Sequence, residues 1–108
     1  MNSVRRYRTE DGREIVTEWL NHLRDVRAKA RIVARIARLA AGNLGDCKPL
    51  RDGVLELRVD YGPGYRVYFA TVGRQVILLL CGGDKRTQDG DIDKAAAYLA
   101  DFKRRMQA

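Results

Sequence analysis

Histidine occurs once in the 108 residues, and cysteine and proline occur twice each. Each scarcity closes off a class of function. Cys47 and Cys81 stand far apart with no Cys-x-x-Cys spacing. With His22 as the lone imidazole, neither a zinc-ligand pattern nor a disulfide framework is available, and a pair of reduced thiols is the expectation. The longest apolar run, Val76 to Cys81, is far too short to span a bilayer. The basic stretch Met1 to Arg8 has no apolar segment of the kind a secretory signal carries. The chain therefore reads as cytoplasmic, with no membrane partner. No Walker or Rossmann glycine pattern, no His-Glu-x-x-His and no Gly-x-Ser-x-Gly is present, so the common nucleotide, zinc-protease and serine-hydrolase chemistries have no motif to rest on. Acids are also in the minority, 14 against 21 Lys and Arg, for a formal net charge of +7. That imbalance selects a polyanionic partner such as nucleic acid, an acidic protein or anionic lipid.

What is present is enough for one folded domain spanning residues 1–108. A hydrophobic content of 45% is ordinary for a globular chain, and this length supports one modest core. Ser3 to Tyr7 can form a short strand, with a turn over Thr9 to Gly12. From Arg13, the apolar residues Ile15, Val16, Trp19, Leu20 and Leu23 recur at helical spacing. A second helix is predicted over Asp25 to Ala41, stopped at Gly42 and Asn43. In it Val26, Ala30, Val33, Ala37 and Ala40 share one apolar side, which Ile32, Ile36 and Leu39 widen. Arg24, Arg27, Arg31, Arg35 and Arg38 fall within an arc of roughly 80° on the opposite side. Such a ridge is either a solvated face or a phosphate-binding one. No acid interleaves it after Asp25, and like charges at i,i+4 repel by a few tenths of a kcal/mol each unless an anion screens them.

Beyond Gly53 the period changes to two. Leu55, Leu57 and Val59 alternate with Glu56, Arg58 and Asp60, and after the turn Tyr61 to Gly64, Tyr65, Val67 and Phe69 alternate with Arg66, Tyr68 and Ala70. An antiparallel hairpin that keeps both apolar rows on one face puts Val59 opposite Tyr65 and Arg58 opposite Arg66. Facing arginines repel. Relief comes from Glu56, from splayed side chains, or from an anion shared by two guanidinium forks, which suit phosphate oxygens. Tyr68 shares the parity of Arg66 and is a candidate platform for base stacking. Val76 to Cys81 is a third strand, of the type covered on both faces, ended by Gly82 and Gly83. Lys85 and Arg86 follow in the loop beside the hairpin. A last helix begins between Thr87 and Asp91 and carries Ile92, Ala95, Ala96, Leu99, Phe102 and Met106 on its apolar side. The order is strand, two helices, three strands, helix: an α+β domain.

The segments LELRVDYGPGYRVYF (55–69), VILLLCGGDKRTQ (76–88) and DIDKA (91–95) resemble the HigB-like branch of the RelE/ParE toxins, the addiction module killer proteins. The resemblance covers about the last half of the chain by motif and the first half by element order. It implies a RelE-like fold and the toxin of a type II toxin–antitoxin pair. The implied partners are a cognate antitoxin, itself a small helix-turn-helix protein, and the ribosome with its mRNA. The implied activity is endoribonucleolytic cleavage of mRNA without a metal or other cofactor, by attack of a ribose 2′-OH on the neighbouring phosphate. By that likeness Arg66 clamps the scissile phosphate, Arg58 adds charge, and Lys85 or Arg86 stabilises or protonates the leaving oxygen. RelE-type nucleases often carry a tyrosine or histidine near the C-terminus for acid–base work; the last helix here offers Tyr98 alone, so no general base is assigned. ParE-like relatives use the same fold to inhibit DNA gyrase without nuclease chemistry, and that alternative stays open.

Overall fold

A computed structural model describes residues 2–107. Its elements are β1 (Ser3–Arg6), α1 (Ile15–His22), α2 (Val26–Ala40), β2 (Cys47–Pro49), β3 (Leu55–Val59), β4 (Tyr65–Val72), β5 (Val76–Asp84) and α3 (Gln88–Met106), with one 3₁₀ turn at Lys85–Thr87. The five strands form one sheet in the order β1-β5-β4-β3-β2. The β3-β4-β5 meander is antiparallel, whereas β1 runs parallel to β5, with Ser3 beside Val76 and Arg6 beside Leu79. The α+β class is as expected. One feature differs from the sequence reading, the additional strand β2, and one was left open by it, the parallel pairing of β1. At three residues including Pro49, β2 is too short for a period of two to announce it, yet it pairs Cys47 with Leu57 and Pro49 with Leu55.

Both faces of the sheet are covered. On one, α1 and α2 bring Val16, Leu20, Ile32, Ile36 and Leu39 against Leu57, Val59, Val67, Phe69, Ile77 and Leu79. On the other, α3 lays Ala95 and Leu99 over Tyr7, Val54, Tyr68, Ala70, Leu78 and Leu80. A shift of register between Tyr68 and Phe69 pairs them with Cys81 and Leu79, leaving Leu80 as the extra residue of a bulge in β5.

The two glycines expected to end β5 lie within it. Gly82 faces the ring of Trp19 so closely that a Cβ would collide with it, and Gly83 meets Thr87 and Asp91 in the same way on the other side. Bare backbone lets α1 and the start of α3 close on the sheet from both faces at this end.

α2 starts at Asp25, whose carboxylate accepts from the backbone N–H of Arg27 and Ala28 at 3.0 and 3.2 Å. Its buried stripe is Ala28, Ile32, Ile36 and Leu39. The Val26, Ala30, Val33, Ala37 side points outward instead: Val26 is 79% and Val33 46% exposed. The apolar side read from periodicity is too wide to face the sheet whole, and the flank with the longer side chains, Ile32, Ile36 and Leu39, went inside because it removes more apolar area from water. The arginine ridge consequently lies about 90° from the buried stripe, beside it instead of opposite it. Among the described residues, no helix is long and apolar enough to cross a membrane.

Candidate functional site

The hairpin register is the one that alternation requires, with Arg58 opposite Arg66 and Val59 opposite Tyr65. What holds two arginines side by side is Glu56, on the same face of β3 and fully buried. One carboxylate oxygen lies 3.7 Å from Arg58 Nε and the other 3.5 Å from Arg66 Nε. Gln88, at the start of α3, donates to Glu56 Oε2 at 2.7 Å. Asp46 lies 3.3 Å from Arg58 Nε on the outer side, and Arg66 donates to the Gly64 carbonyl at 2.8 Å. The carboxylate below faces both guanidinium groups at their Nε edges at ion-pair distance, and among the described residues neither Nε has a hydrogen-bond partner. Arg58 keeps 40% of its side chain exposed and Arg66 only 11%, so Arg66 is the more rigidly held of the two.

Above the pair is a shallow hollow of about 270 Å³ lined by Asp46, Arg58, Val59, Asp60, Gly64, Tyr65, Arg66 and Lys85. The end of β5 and the 3₁₀ turn bring Lys85 to its rim. Three of the four basic residues to which the resemblance gives a part in the chemistry therefore converge. Arg86 does not join them. Its guanidinium pairs with Asp84 at 2.8 Å, and its backbone N–H donates to the same carboxylate. Those hydrogen bonds hold the Asp84 carboxyl below its ordinary range. Arg86 instead borders a second hollow, along the first turn of α3.

Tyr68 corrects the sequence reading most sharply. It shares the face of Arg66, but α3 roofs that face, and Tyr68 is fully buried. No base can stack on it. Burial, with the charges of Glu56 and Asp91 nearby, pushes its hydroxyl well above the usual phenol range, and among the described residues that hydroxyl has no hydrogen-bond partner. The aromatic ring that does border the hollow is Tyr65, edge-on to Trp19 with centroids 6.4 Å apart.

The arginine ridge is divided. Arg31 sits 4.6 Å over the ring of Tyr61, and Arg35 donates to the Leu44 carbonyl at 3.1 Å. Arg24, Arg27 and Arg38 are exposed. Sequence reasoning missed Gln88 and Asp46 as parts of the cluster, and weighed Glu56 only as a source of charge relief. The available signal was a carboxylate two residues from Arg58, on one strand face with both arginines. Among the described residues, no three or more His, Cys, Asp or Glu side chains converge as a metal site would require.

Residues 18–105 match the model of a protein family described as "Phage derived protein Gp49-like". The chain belongs to that family. The Gp49-like family is addiction-module toxin-like, and Glu56, Arg58, Arg66, Lys85 and Gln88 all lie inside the matched segment. An uncharacterized protein of Haemophilus influenzae (strain Rd) is 56% identical over 77 residues, covering 71% of this chain and 78% of the relative.

Proposed function

We propose that this Gp49-like protein is the toxin of a type II toxin–antitoxin pair and acts in the cytoplasm as a ribosome-dependent mRNA endoribonuclease. The observation that carries the reading is the convergence of Arg58, Arg66 and Lys85 on an open hollow, with the arginines held from below by buried Glu56. A preorganised cationic site of this kind stabilises charge that develops on a phosphate during reaction, which is where most enzymatic acceleration of such steps originates.

In the proposed reaction a ribose 2′-OH attacks the adjacent phosphorus and the bond to the 5′-oxygen breaks, leaving a 2′,3′-cyclic phosphate and a 5′-hydroxyl. Arg66 holds the non-bridging oxygens and Arg58 adds positive charge. The ammonium of Lys85 donates a proton to the leaving 5′-oxygen. The carboxylates lining the hollow, Asp46 and Asp60, are the groups available to take the 2′-OH proton. Arg86, paired with Asp84, has no part in this scheme.

Primer extension on RNA from cells induced to express the chain tests it. Discrete cuts within translated codons, lost when Arg66 is replaced, support the nuclease. Intact mRNA with growth arrest and a DNA-damage response would assign the chain to gyrase inhibition instead.

A further inference from the structure

The outward face of α2 is apolar and cationic at once. Val26, Ala30, Val33, Ala34 and Ala37 form an exposed strip along the helix, and the ridge that includes Arg27 and Arg38 borders it on one side. Lys29 stands on the other side, and no acid occurs between Asp25 and Asp46. Exposed alanines alone would be explained by helix propensity. Two exposed valines would not, because a β-branched residue lowers helix propensity and gains nothing from facing water. Small side chains also let a second helix approach closely, toward the short end of the 8–10 Å range of packed helix axes.

We propose that this strip is the docking surface for one amphipathic helix of a partner protein, whose apolar stripe is flanked by Asp and Glu. Charge complementarity selects that occupant. A second copy of this chain would set one arginine ridge against another, which opposes self-association through this face. A phosphate backbone would use the arginines but leave the valine–alanine strip uncovered. That the helix belongs to the protein neutralising this chain rests on the toxin reading; the surface itself does not. α2 lies on the face of the sheet opposite α3 and Glu56, so the partner would dock without entering the candidate site's polar floor.

The test uses the full chain and two synthetic helices with the same Leu/Ala stripe, one flanked by Glu and one by Lys, with a single-stranded RNA as a third probe. Amide chemical shifts report where each probe binds, and anisotropy reports affinity. The Glu-flanked peptide is expected to perturb α2 amides, and to bind at least about tenfold more weakly to Val33→Asp and, independently, to Ala37→Glu. Both positions are solvent-exposed, and circular dichroism verifies that the helix survives. Failure of the Glu-flanked peptide to bind, equal binding of the Lys-flanked one, or RNA alone shifting the α2 strip would each overturn the proposal. The toxin reading is judged separately by growth arrest on expression. Arrest without peptide binding sinks only the docking surface, and peptide binding without arrest sinks only the toxin.

Discussion

Replacing Arg66 by alanine separates the two jobs its guanidinium performs. From the alternating pattern alone the substitution should cost little, since Arg66 faces away from Val67 and Phe69 and its removal relieves repulsion with Arg58. Glu56 reverses that expectation. Taking one partner from a buried ion pair costs about 3–5 kcal/mol, because the other charge stays behind in a poor solvent. Glu56 keeps the Gln88 hydrogen bond at 2.7 Å and Arg58 at 3.7 Å, and the lost contact is a long one at 3.5 Å. The expected loss is therefore on the order of 2 kcal/mol, or roughly 8–16 °C in Tm for a domain of this size. Combining Arg66→Ala with Glu56→Gln removes the stranded charge and should recover a substantial part of that loss, and the difference from additivity measures the coupling. RNA cleavage should fall about 10²- to 10³-fold in both variants when assayed well below their melting temperatures, as expected for loss of a transition-state contact. Arg74→Ala, in the exposed turn after β4, is the control. An Arg66→Ala protein melting at or above the wild-type temperature would refute the role given to Glu56. One cleaving at the wild-type rate would remove the hairpin from the chemistry.

Gly82→Ala should destabilise the domain by about 1–3 kcal/mol in a denaturant titration, because the new methyl group meets the ring of Trp19. Gly90→Ala, in α3 with open space around it, should stabilise it by about 0.5–1 kcal/mol. Burial, together with the hydrogen bond from its hydroxyl to Asp101, pushes Tyr7 up to about 12 from the ordinary 10.0. A raised folded-state pKa contributes stability that is complete below pH 10 and is lost as pH rises toward 12. Tyr7→Phe should flatten that part of the pH–stability curve. Burial also pushes the Cys81 thiol up to about 12, so a thiol-specific reagent should label half-buried Cys47 in the native protein well before Cys81, and both at once in denaturant.

Alternation carried much of the site to the surface of the sequence. Once Leu55, Leu57 and Val59 had to share a face with Tyr65, Val67 and Phe69, the opposition of Arg58 and Arg66 followed from parity. Parity says which residues share a face, not what covers it. Glu56 and Tyr68 sit on the polar row of the hairpin, and the polar row of an isolated hairpin is its wet side; here Ala95 and Leu99 of α3 arrive over it and dry it out. The same ambiguity applied to α2, where the apolar side was too wide to face the sheet whole and side-chain size decided. Arg86 was adjacent to Lys85 in sequence but turned back onto Asp84, a local pairing that sequence order does not distinguish from a shared site.

The parallel seam between β1 and β5 also sets an order of assembly. The contacts of β3 with β4 and of β4 with β5 are between neighbours in the chain, so the meander can close through short loops. Ser3 reaches Val76 only after both helices and the meander between them have been spanned, and a long closure is favourable only when the surface it docks on already exists. The hairpin bearing Arg58 and Arg66 is thus expected to form early, and β1 to join late, sealing the edge of β5. Damage confined to β1 should raise the rate of unfolding more than it slows folding, which leaves the cationic hairpin formed in molecules whose outer edge has come open.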